Sequence, residues 1–361
     1  MDQKRLFTFI LFFCSLISCK RSSDILVEVK EVDFRNKTSD IIHGEEIISI
    51  PGVSDYLLFD SLLMFITSDP SGQLKVYNSN TMKALGSFCS KGRARNEFQK
   101  ALLVTNQIYS NENGHTILPL NNYTHEIREI DVTESLAQGK TVIVGISENA
   151  NAGEGATIYL DNNLDYRFEY TKNKYEYDEK KRGVPCVYTV IQPSGKRTKI
   201  KVFNSKMDVT NEKFDLAPYT GNLYKHPSRN LVVERFSYME YLLFFDFDSD
   251  KRYAVHQIDA LTFADIYDKK TRRENDYSFT DVATTENYLL LLYWRGDYYL
   301  DVPDKNGANE VLVFDWEGNY IKGFKFDRTI IRIEYDETHQ ILYALDENET
   351  LYKYDWKDLL P

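Results

Sequence analysis

The sequence predicts an all-β protein: a six-bladed β-propeller with four-stranded antiparallel blades and a ring closed by the N-terminal strand. Three observations predict this fold. Aromatic residues make up 14% of the 361 residues, with 26 tyrosines among them, and aromatic side chains favour strands. Short apolar or alternating segments recur between turn signals, with no amphipathic stretch of three helical turns. Similar strand pairs return at intervals of tens of residues.

The strand predictions rest on two kinds of pattern. In Ile331–Tyr335 apolar residues alternate with Arg332 and Glu334, which predicts a strand with one buried and one wet face. Continuously apolar runs such as Tyr288–Tyr293 predict strands that are buried on both faces. The best helical candidate is Thr133–Gln138, with Thr133 as its N-terminal cap.

Internal repeats favour a propeller over a β-sandwich or a two-domain arrangement. Residues 74–88 and 311–324 both read as an apolar strand, an Asp or Asn at a turn, and a strand that ends in an aromatic residue. The last blade is short by one strand, which Ile25–Phe34 would supply, so that no sheet edge is left exposed. The predicted blades are 45–90, 98–145, 153–205, 215–260, 277–327 and 329–356.

The N-terminus predicts export and lipidation. Two basic residues precede the apolar run Leu6–Ser18, which is too short to span a bilayer as a helix. The run ends in Leu-Ile-Ser before Cys19 and resembles the bacterial lipobox, in which the cysteine is acylated and becomes the first mature residue. The expected organisation is a signal peptide over 1–18, a lipidated Cys19 with a tether to residue 24, and one propeller domain over 25–361. An ordinary signal peptide or an N-terminal anchor is the alternative.

The resemblance also implies a compartment. Lys20 stands where lipoproteins retained in the inner membrane of enteric bacteria carry aspartate, so we expect a cell-envelope lipoprotein held in the outer membrane. Its periplasmic or surface orientation stays open. The membrane partner is expected to be reached through the lipid chains, since several acyl chains give stable anchoring.

The net charge, the cysteine content and the motifs of the sequence exclude several classes of function. A net charge of −11 argues against nucleic-acid binding, which requires basic residues at the phosphates. Beyond the leader and Cys19, Cys89 and Cys186 remain, and we expect two buried, unpaired thiols. No Cys/His cluster, nucleophile elbow or phosphate-binding loop occurs. We therefore predict no cofactor, no metal site and no catalytic residue.

One loop carries a family resemblance. Gly92-Arg93-Ala94-Arg95-Asn96-Glu97-Phe98 is similar to the Gly-Arg-Gly-Pro-(Gly/Asn)-Glu-Phe loop that ends the first blade in TolB-like, NHL-like six-bladed propeller lipoproteins of Bacteroides and relatives. Ala94 and Arg95 depart from the usual Gly-Pro. The resemblance implies a fold and an envelope location, and it implies no settled biochemical activity.

Two segments are candidate binding sites. Arg93, Arg95 and Glu97 are the first, with the arginines facing the central funnel to hold an anionic group. The structural alternative makes Gly92 a tight turn, pairs Arg93 with Glu97 and places Phe98 as a plug between the first two blades.

The second candidate lies in Tyr293–Tyr299 and comprises Trp294, Arg295, Asp297 and Tyr298. Aromatic platforms beside polar groups suit sugars and protein interfaces. The alternative is a hairpin whose aromatic residues pack between blades.

The leading hypothesis is a non-enzymatic binding or scaffold propeller for a protein or carbohydrate partner. The alternative is a propeller-type hydrolase or lactonase with a central metal or polar site, which would need acidic, amide or His side chains converging from several inner strands.

Replacing Cys19 tests the anchor. Because acylation requires the thiol, Cys19→Ser should move the protein from the membrane fraction to the soluble fraction on cell fractionation. Cys14→Ser, within the apolar leader, is the control and should leave the protein in the membrane. Unchanged membrane retention of Cys19→Ser would contradict lipidation as the anchor.

Overall fold

The computed structural model describes residues 25–37, 39–104, 107–123, 126–148, 155–161, 166–172, 186–203, 221–236, 239–260, 279–294 and 308–360. Strands dominate these ranges, and one short helix, α1 Val132–Gln138, interrupts them. Within these ranges no helix is long and apolar enough to cross a membrane.

The strands are numbered in chain order. Three precede the first complete sheet: β1 Glu28–Val32, β2 Asp40–Ile42 and β3 Glu45–Ser49. The strands of the first three sheets are β4 Val53–Phe59, β5 Leu62–Thr67, β6 Leu74–Asn78, β7 Ala84–Phe88, β8 Ala101–Leu103, β9 Tyr109–Ser110, β10 Thr116–Asn122, β11 Glu126–Asp131, β12 Ile143–Glu148, β13 Gly155–Tyr159, β14 Arg167–Lys172, β15 Cys186–Ile191 and β16 Arg197–Ile200. The strands that follow are β17 Gly221–Lys225, β18 Leu231–Phe236, β19 Tyr241–Asp246, β20 Lys251–Gln257, β21 Phe279–Thr284, β22 Tyr288–Tyr293, β23 Ala308–Asp315, β24 Tyr320–Asp336, β25 Ile341–Asp346 and β26 Thr350–Asp355.

Each sheet is built on antiparallel meanders of four strands. The orders are β4-β5-β6-β7, β8-β10-β11-β12, β13-β14-β15-β16 and β17-β18-β19-β20. A larger sheet contains two such meanders joined by the long strand β24, because residues 320–325 pair with β23 and residues 332–336 pair with β25. This is a β-propeller fold with four-stranded antiparallel blades, as the sequence predicted.

Apolar side chains fill the space between each sheet and the next. Phe98 is fully buried between the first two sheets, where the sequence placed it as a plug. Between the third and fourth sheets, the Tyr188 hydroxyl donates to Oε2 of the buried Glu234 at 2.6 Å. Neighbours that share a core cluster across successive interfaces are Met64 with Leu118, Ile127 with Tyr159, Phe168 with Phe245, Phe244 with Leu289, Leu292 with Leu342, and Phe65 with Leu345.

The N-terminal residues run along the outside of the ring; we call residues 25–49 the rim segment. Ile25 bridges to Phe203 after the third sheet, and the Leu26 amide donates to the Val202 carbonyl at 2.7 Å. Next, β1 pairs in parallel with the outer strand β20, and β2 pairs in parallel with the first part of β24. Finally, β3 pairs antiparallel with β26. The rim segment therefore covers the outer edges of consecutive sheets.

The expectation that Ile25–Phe34 closes the ring is wrong, because β3 completes the last meander. The reason is connectivity. Only the turn at residues 50–52 separates β3 from the inner strand β4, so the chain passes from the outside of the last sheet to the inside of the first. The pairing continues into that turn, where the Ile50 amide donates to the Glu349 carbonyl at 3.0 Å. Residues 45–49, predicted in the first blade, therefore belong to the last.

Ile25–Phe34 has a different role. Phe34 is 1% exposed and lies between the fourth sheet and the next, with its ring centroid 5.7 Å from those of Tyr293 and Phe314. The Phe34 amide donates to Gln257 Oε1 at 2.8 Å. An aromatic side chain this deeply buried ties the rim segment to the core.

The predicted helix is present with a different cap. Asp131 accepts from the Glu134 amide at 2.8 Å and caps α1, whereas the Thr133 hydroxyl accepts from the Thr116 amide at 2.9 Å. Cys89 is a buried free thiol, as expected. The Cys186 side chain lies outside the described residues.

Candidate functional site

The inner strands enclose a central channel with a volume of about 380 Å³. Its walls come from β4, β8, β13, β17, β21 and the second part of β24, or from residues that directly follow them. Its polar lining is rich in groups that can form hydrogen bonds: Asp55, Tyr56, Gln107, Tyr159, Asp161, Asn222, Tyr224, Lys225, His226, Asp281, Thr284, Arg332, Glu334 and Tyr335.

Polar contacts join neighbouring inner strands around this channel. Asp281 connects three of them, since Oδ1 accepts from the Tyr224 hydroxyl at 3.3 Å and Oδ2 accepts from the Ile333 amide at 2.9 Å. On the opposite side, Gln107 Nε2 donates to the Tyr159 carbonyl at 3.1 Å. Buried polar groups of this kind are stable only when paired, so these contacts fix the spacing of the channel wall.

A guanidinium lies between two carboxylates in the channel. Arg332 Nε is 3.4 Å from Asp55 Oδ1, and its Nη1 is 3.9 Å from Asp281 Oδ1. The Asp281 carboxylate raises the pKa of Arg332 against the opposing effect of burial, and Asp55 adds to the rise. Burial raises the pKa of Asp55, and the charge of Arg332 opposes part of that increase. Arg332 thus neutralises carboxylates that come from the first and fifth inner strands.

Glu334 lies two residues beyond Arg332 on the same strand. Its carboxyl group forms no hydrogen bond with another residue in the described part of the chain. Burial raises the pKa of Glu334 well above its usual range, and the nearby charges of Asp281 and Asp55 raise it further. A raised pKa favours the protonated form of a carboxyl group, which offers one O–H donor together with an acceptor oxygen.

Two other titratable groups of the channel, His226 and Lys225, already have structural partners. His226 Nε2 is 3.1 Å from the Glu286 carbonyl, and its Nδ1 accepts from the amides of Ser228 and Arg229, each at 3.2 Å. Burial lowers the pKa of His226, which keeps the ring neutral. Lys225 Nζ donates to the Leu160 carbonyl at 2.9 Å. Neither side chain is placed as a free base or nucleophile.

The first predicted site lies away from the channel. Neither Arg93 nor Arg95 is among the channel-lining residues, and Arg93 instead borders a surface pocket. Glu97 does not pair with Arg93: its Oε2 accepts from the Ala94 amide at 2.9 Å. A Cβ at residue 92 would lie 1.8 Å from Glu97 Oε2, so a larger residue in place of Gly92 would displace the Glu97 carboxylate.

The second predicted site is described only at its start. Trp294 is 9% exposed and packs in a core cluster with Leu292 and Val311, which agrees with the packing alternative for this residue. Arg295, Asp297 and Tyr298 lie outside the described residues, so the predictions on them remain predictions.

Sequence reasoning missed the residues of the channel. Asp281 and Asp55 are single acidic residues inside apolar strands, and Arg332 and Glu334 were assigned to a wet strand face. The strand face that carries Arg332 and Glu334 does contact solvent, but this solvent is inside the channel. The sequence feature that could have identified the channel residues is a charged residue on the first strand of several blades, since first strands face the ring axis.

No group of three or more His, Cys, Asp or Glu side chains within the described ranges is placed to hold a metal ion. The described residues of the channel offer hydrogen-bonding groups and ion pairs.

Removing the guanidinium tests the role of Arg332. Arg332→Met should lower the free energy of unfolding by about 1–3 kcal/mol, between the values for surface and buried ion pairs, because Asp281 is left without its cation. Chemical denaturation followed by tryptophan fluorescence measures this change. Arg252→Met is the control, since its partner Asp250 is 86% exposed, and it should change stability by less than about 0.5 kcal/mol. Equal stability of Arg332→Met and the parent protein would contradict the account.

Comparisons with known proteins give information on the fold alone. No protein-family profile matches the sequence, and no curated protein is significantly similar to it. One similar solved structure is the β-propeller domain of Myceliophteria thermophila Cps50 (Swd1). It is 11% identical, with a TM-score of 0.49 over 86% of this chain and 99% of that domain.

Proposed function

We propose that the protein is a lipid-anchored, non-enzymatic binding propeller of the cell envelope, and that its channel binds a neutral carbohydrate. One observation carries the proposal. Hydrogen-bonding side chains from successive inner strands converge on one channel, and among them Glu334 has a raised pKa and an unused carboxyl group.

The channel chemistry matches a hydroxyl-rich ligand. Each sugar hydroxyl is both a donor and an acceptor, and a protonated carboxyl group can satisfy both roles at once. Tyr159 and Tyr335 are also among the residues that line the channel, and aromatic rings suit the apolar faces of sugars. A ligand with a full charge gains less here, because Arg332 is already shared between Asp55 and Asp281.

We infer that the ring has six blades. Support comes from the two meanders that share β24 and from the core clusters that join each sheet to the next. The last cluster connects Tyr343 and Leu345 to Phe65 of the first sheet, and the Tyr56 hydroxyl donates to the Tyr343 carbonyl at 2.9 Å. A sandwich would have no such contact between its first and last sheets.

The start of the rim segment is compatible with lipid anchoring at Cys19 in the outer membrane. Ile25 bridges to Phe203 after the third sheet, so the chain enters the fold at the outer rim. The six residues from Cys19 to Ile25 span at most about 20 Å when fully extended. Anchoring would therefore hold the third blade closest to the membrane and leave both ends of the channel accessible from the side.

A hydrolase is the second candidate, and Glu334 is the observation that favours it. A carboxyl group with a raised pKa in a cavity can act as a general acid. Hydrolysis of a glycosidic bond also needs a second, free carboxylate. Both nearby candidates, Asp55 and Asp281, are held by Arg332. The geometry therefore supports binding better than cleavage.

Calorimetry with neutral oligosaccharides of four to six units, prepared from xylan, mannan, arabinan and β-glucan, tests the proposal on the purified full-length chain. At least one should bind with a Kd below about 1 mM. Glu334→Ala should weaken that binding at least tenfold, because the hydrogen-bonding group is lost. Glu334→Gln, which keeps a neutral donor and acceptor, should retain most of it.

Glu317→Ala is the matched control, since it removes an exposed carboxylate in the turn between β23 and β24, and binding should be unchanged. Chromatography of the incubated mixture should recover intact oligosaccharide. The proposal fails if no oligosaccharide binds in this range or if Glu317→Ala is as harmful as Glu334→Ala. Release of shorter products would replace it with the hydrolase alternative.

A further inference from the structure

A second pocket lies on the surface near the first interface between sheets. It has a volume of about 430 Å³ and is lined by Lys91, Gly92, Arg93, Gln99, Lys100 and Tyr123. The first five belong to the connection from β7 to β8, and Tyr123 directly follows β10. None of them lines the central channel.

The backbone around this pocket is firmly held. The Lys91 amide donates to the Pro70 carbonyl at 2.8 Å, and the Gly92 amide donates to the Phe98 carbonyl at 3.1 Å. Across the pocket, the Tyr123 amide donates to the Lys100 carbonyl at 3.3 Å. A wall fixed by such contacts is preorganised, so a ligand need not order it.

The buried side chain of Arg128 contacts the loop that connects β7 to β8. The Arg128 guanidinium donates through Nη1 to the Arg95 carbonyl at 2.9 Å and stacks over the ring of Phe98, 5.3 Å from its centroid. Arg128 also pairs with Glu126 at 2.8 Å. Its charge is therefore used inside the structure, and the cations on the pocket wall are separate from it.

Three cations of the pocket have no counter-ion in the described part of the chain. Lys91, Arg93 and Lys100 are exposed and form no ion pair there. The nearby Glu97 carboxylate is directed to the Ala94 amide. In a chain with a net charge of −11, three positive charges border this concavity against the one nearby carboxylate of Glu97, which leaves a local excess of positive charge. Mutual repulsion among them is relieved when an anion binds.

Tyr123 adds an aromatic wall to this charge. Its side chain is 70% exposed. An exposed ring beside cations can stack on the apolar face of a sugar while the cations contact its anionic substituents.

We propose that this pocket binds an anionic saccharide through its carboxylate or sulfate groups. Lys91, Arg93 and Lys100 contact the anionic groups, Tyr123 stacks on a sugar ring, and Gln99 supplies an amide for hydroxyls. A flat anionic membrane surface fits less well, because the charges surround a concavity with an aromatic side. The site is independent of the channel and of the neutral carbohydrate proposed there.

Calorimetry with the purified full-length chain tests the site, using a chondroitin sulfate tetrasaccharide and tetragalacturonate as probes and maltotetraose as the neutral reference. At least one anionic probe should bind, and raising NaCl from 50 to 200 mM should weaken it several-fold, since charge carries the contact. The triple variant K91A/R93A/K100A should weaken binding at least tenfold. Tyr123→Ala should weaken it about threefold or more.

The matched control is K83A/K140A/K251A, which removes the same charge from exposed lysines elsewhere and should leave binding nearly unchanged. Glu334→Ala should also leave it unchanged, so failure here and failure of the channel proposal are distinguishable. Thermal melts check that every variant is folded. The proposal is overturned if neither anion binds, if both triple variants lose affinity equally, or if anionic phospholipid vesicles bind through these lysines while the saccharides do not.

Discussion

Closure of the ring by β3 and β26 is the constraint on which the rest of the fold depends. A meander that stops at β26 would present unpaired backbone groups at its outer edge and would leave the first and last sheets without a covalent link. The β3 strand pairs with this outer edge. It also links the last sheet to the first, because the chain continues directly from β3 into the inner strand β4. The inner strands can then surround one channel, and each sheet packs against two neighbours.

The rim segment extends the same principle around the outside. Parallel pairing of β1 and β2 protects the outer edges of two further four-stranded meanders, and Phe34 attaches the segment to the core. Inside the ring the constraint is electrostatic, because charged groups there need partners. Arg332 pairs with two carboxylates, whereas the Glu334 carboxyl group forms no hydrogen bond with another described residue. The channel therefore contains paired charges, whereas the basic pocket at Lys91 and Arg93 lies outside it.

The sequence predicted the strands and the blade pattern because both depend on local alternation and turn residues. It also predicted the burial of Phe98 and the free thiol of Cys89. It assigned the closing strand incorrectly, since pairing between distant strands leaves no local signal, and Ile25–Phe34 carries an alternating pattern that β3 lacks. The channel residues were missed for a related reason. Arg332 looks like any solvent-facing residue until the ring brings Asp55 beside it.

A designed disulfide tests ring closure most directly. Ser49 and Thr350 are partners in the β3–β26 register, with their hydroxyl oxygens 2.8 Å apart. The variant S49C/T350C should form an intramolecular disulfide under oxidising conditions, run faster on a non-reducing gel and gain about 2–4 kcal/mol of stability. V29C/T350C, which would link the strand first expected to close the ring, should remain unlinked. A disulfide that forms in V29C/T350C and not in S49C/T350C would contradict the account.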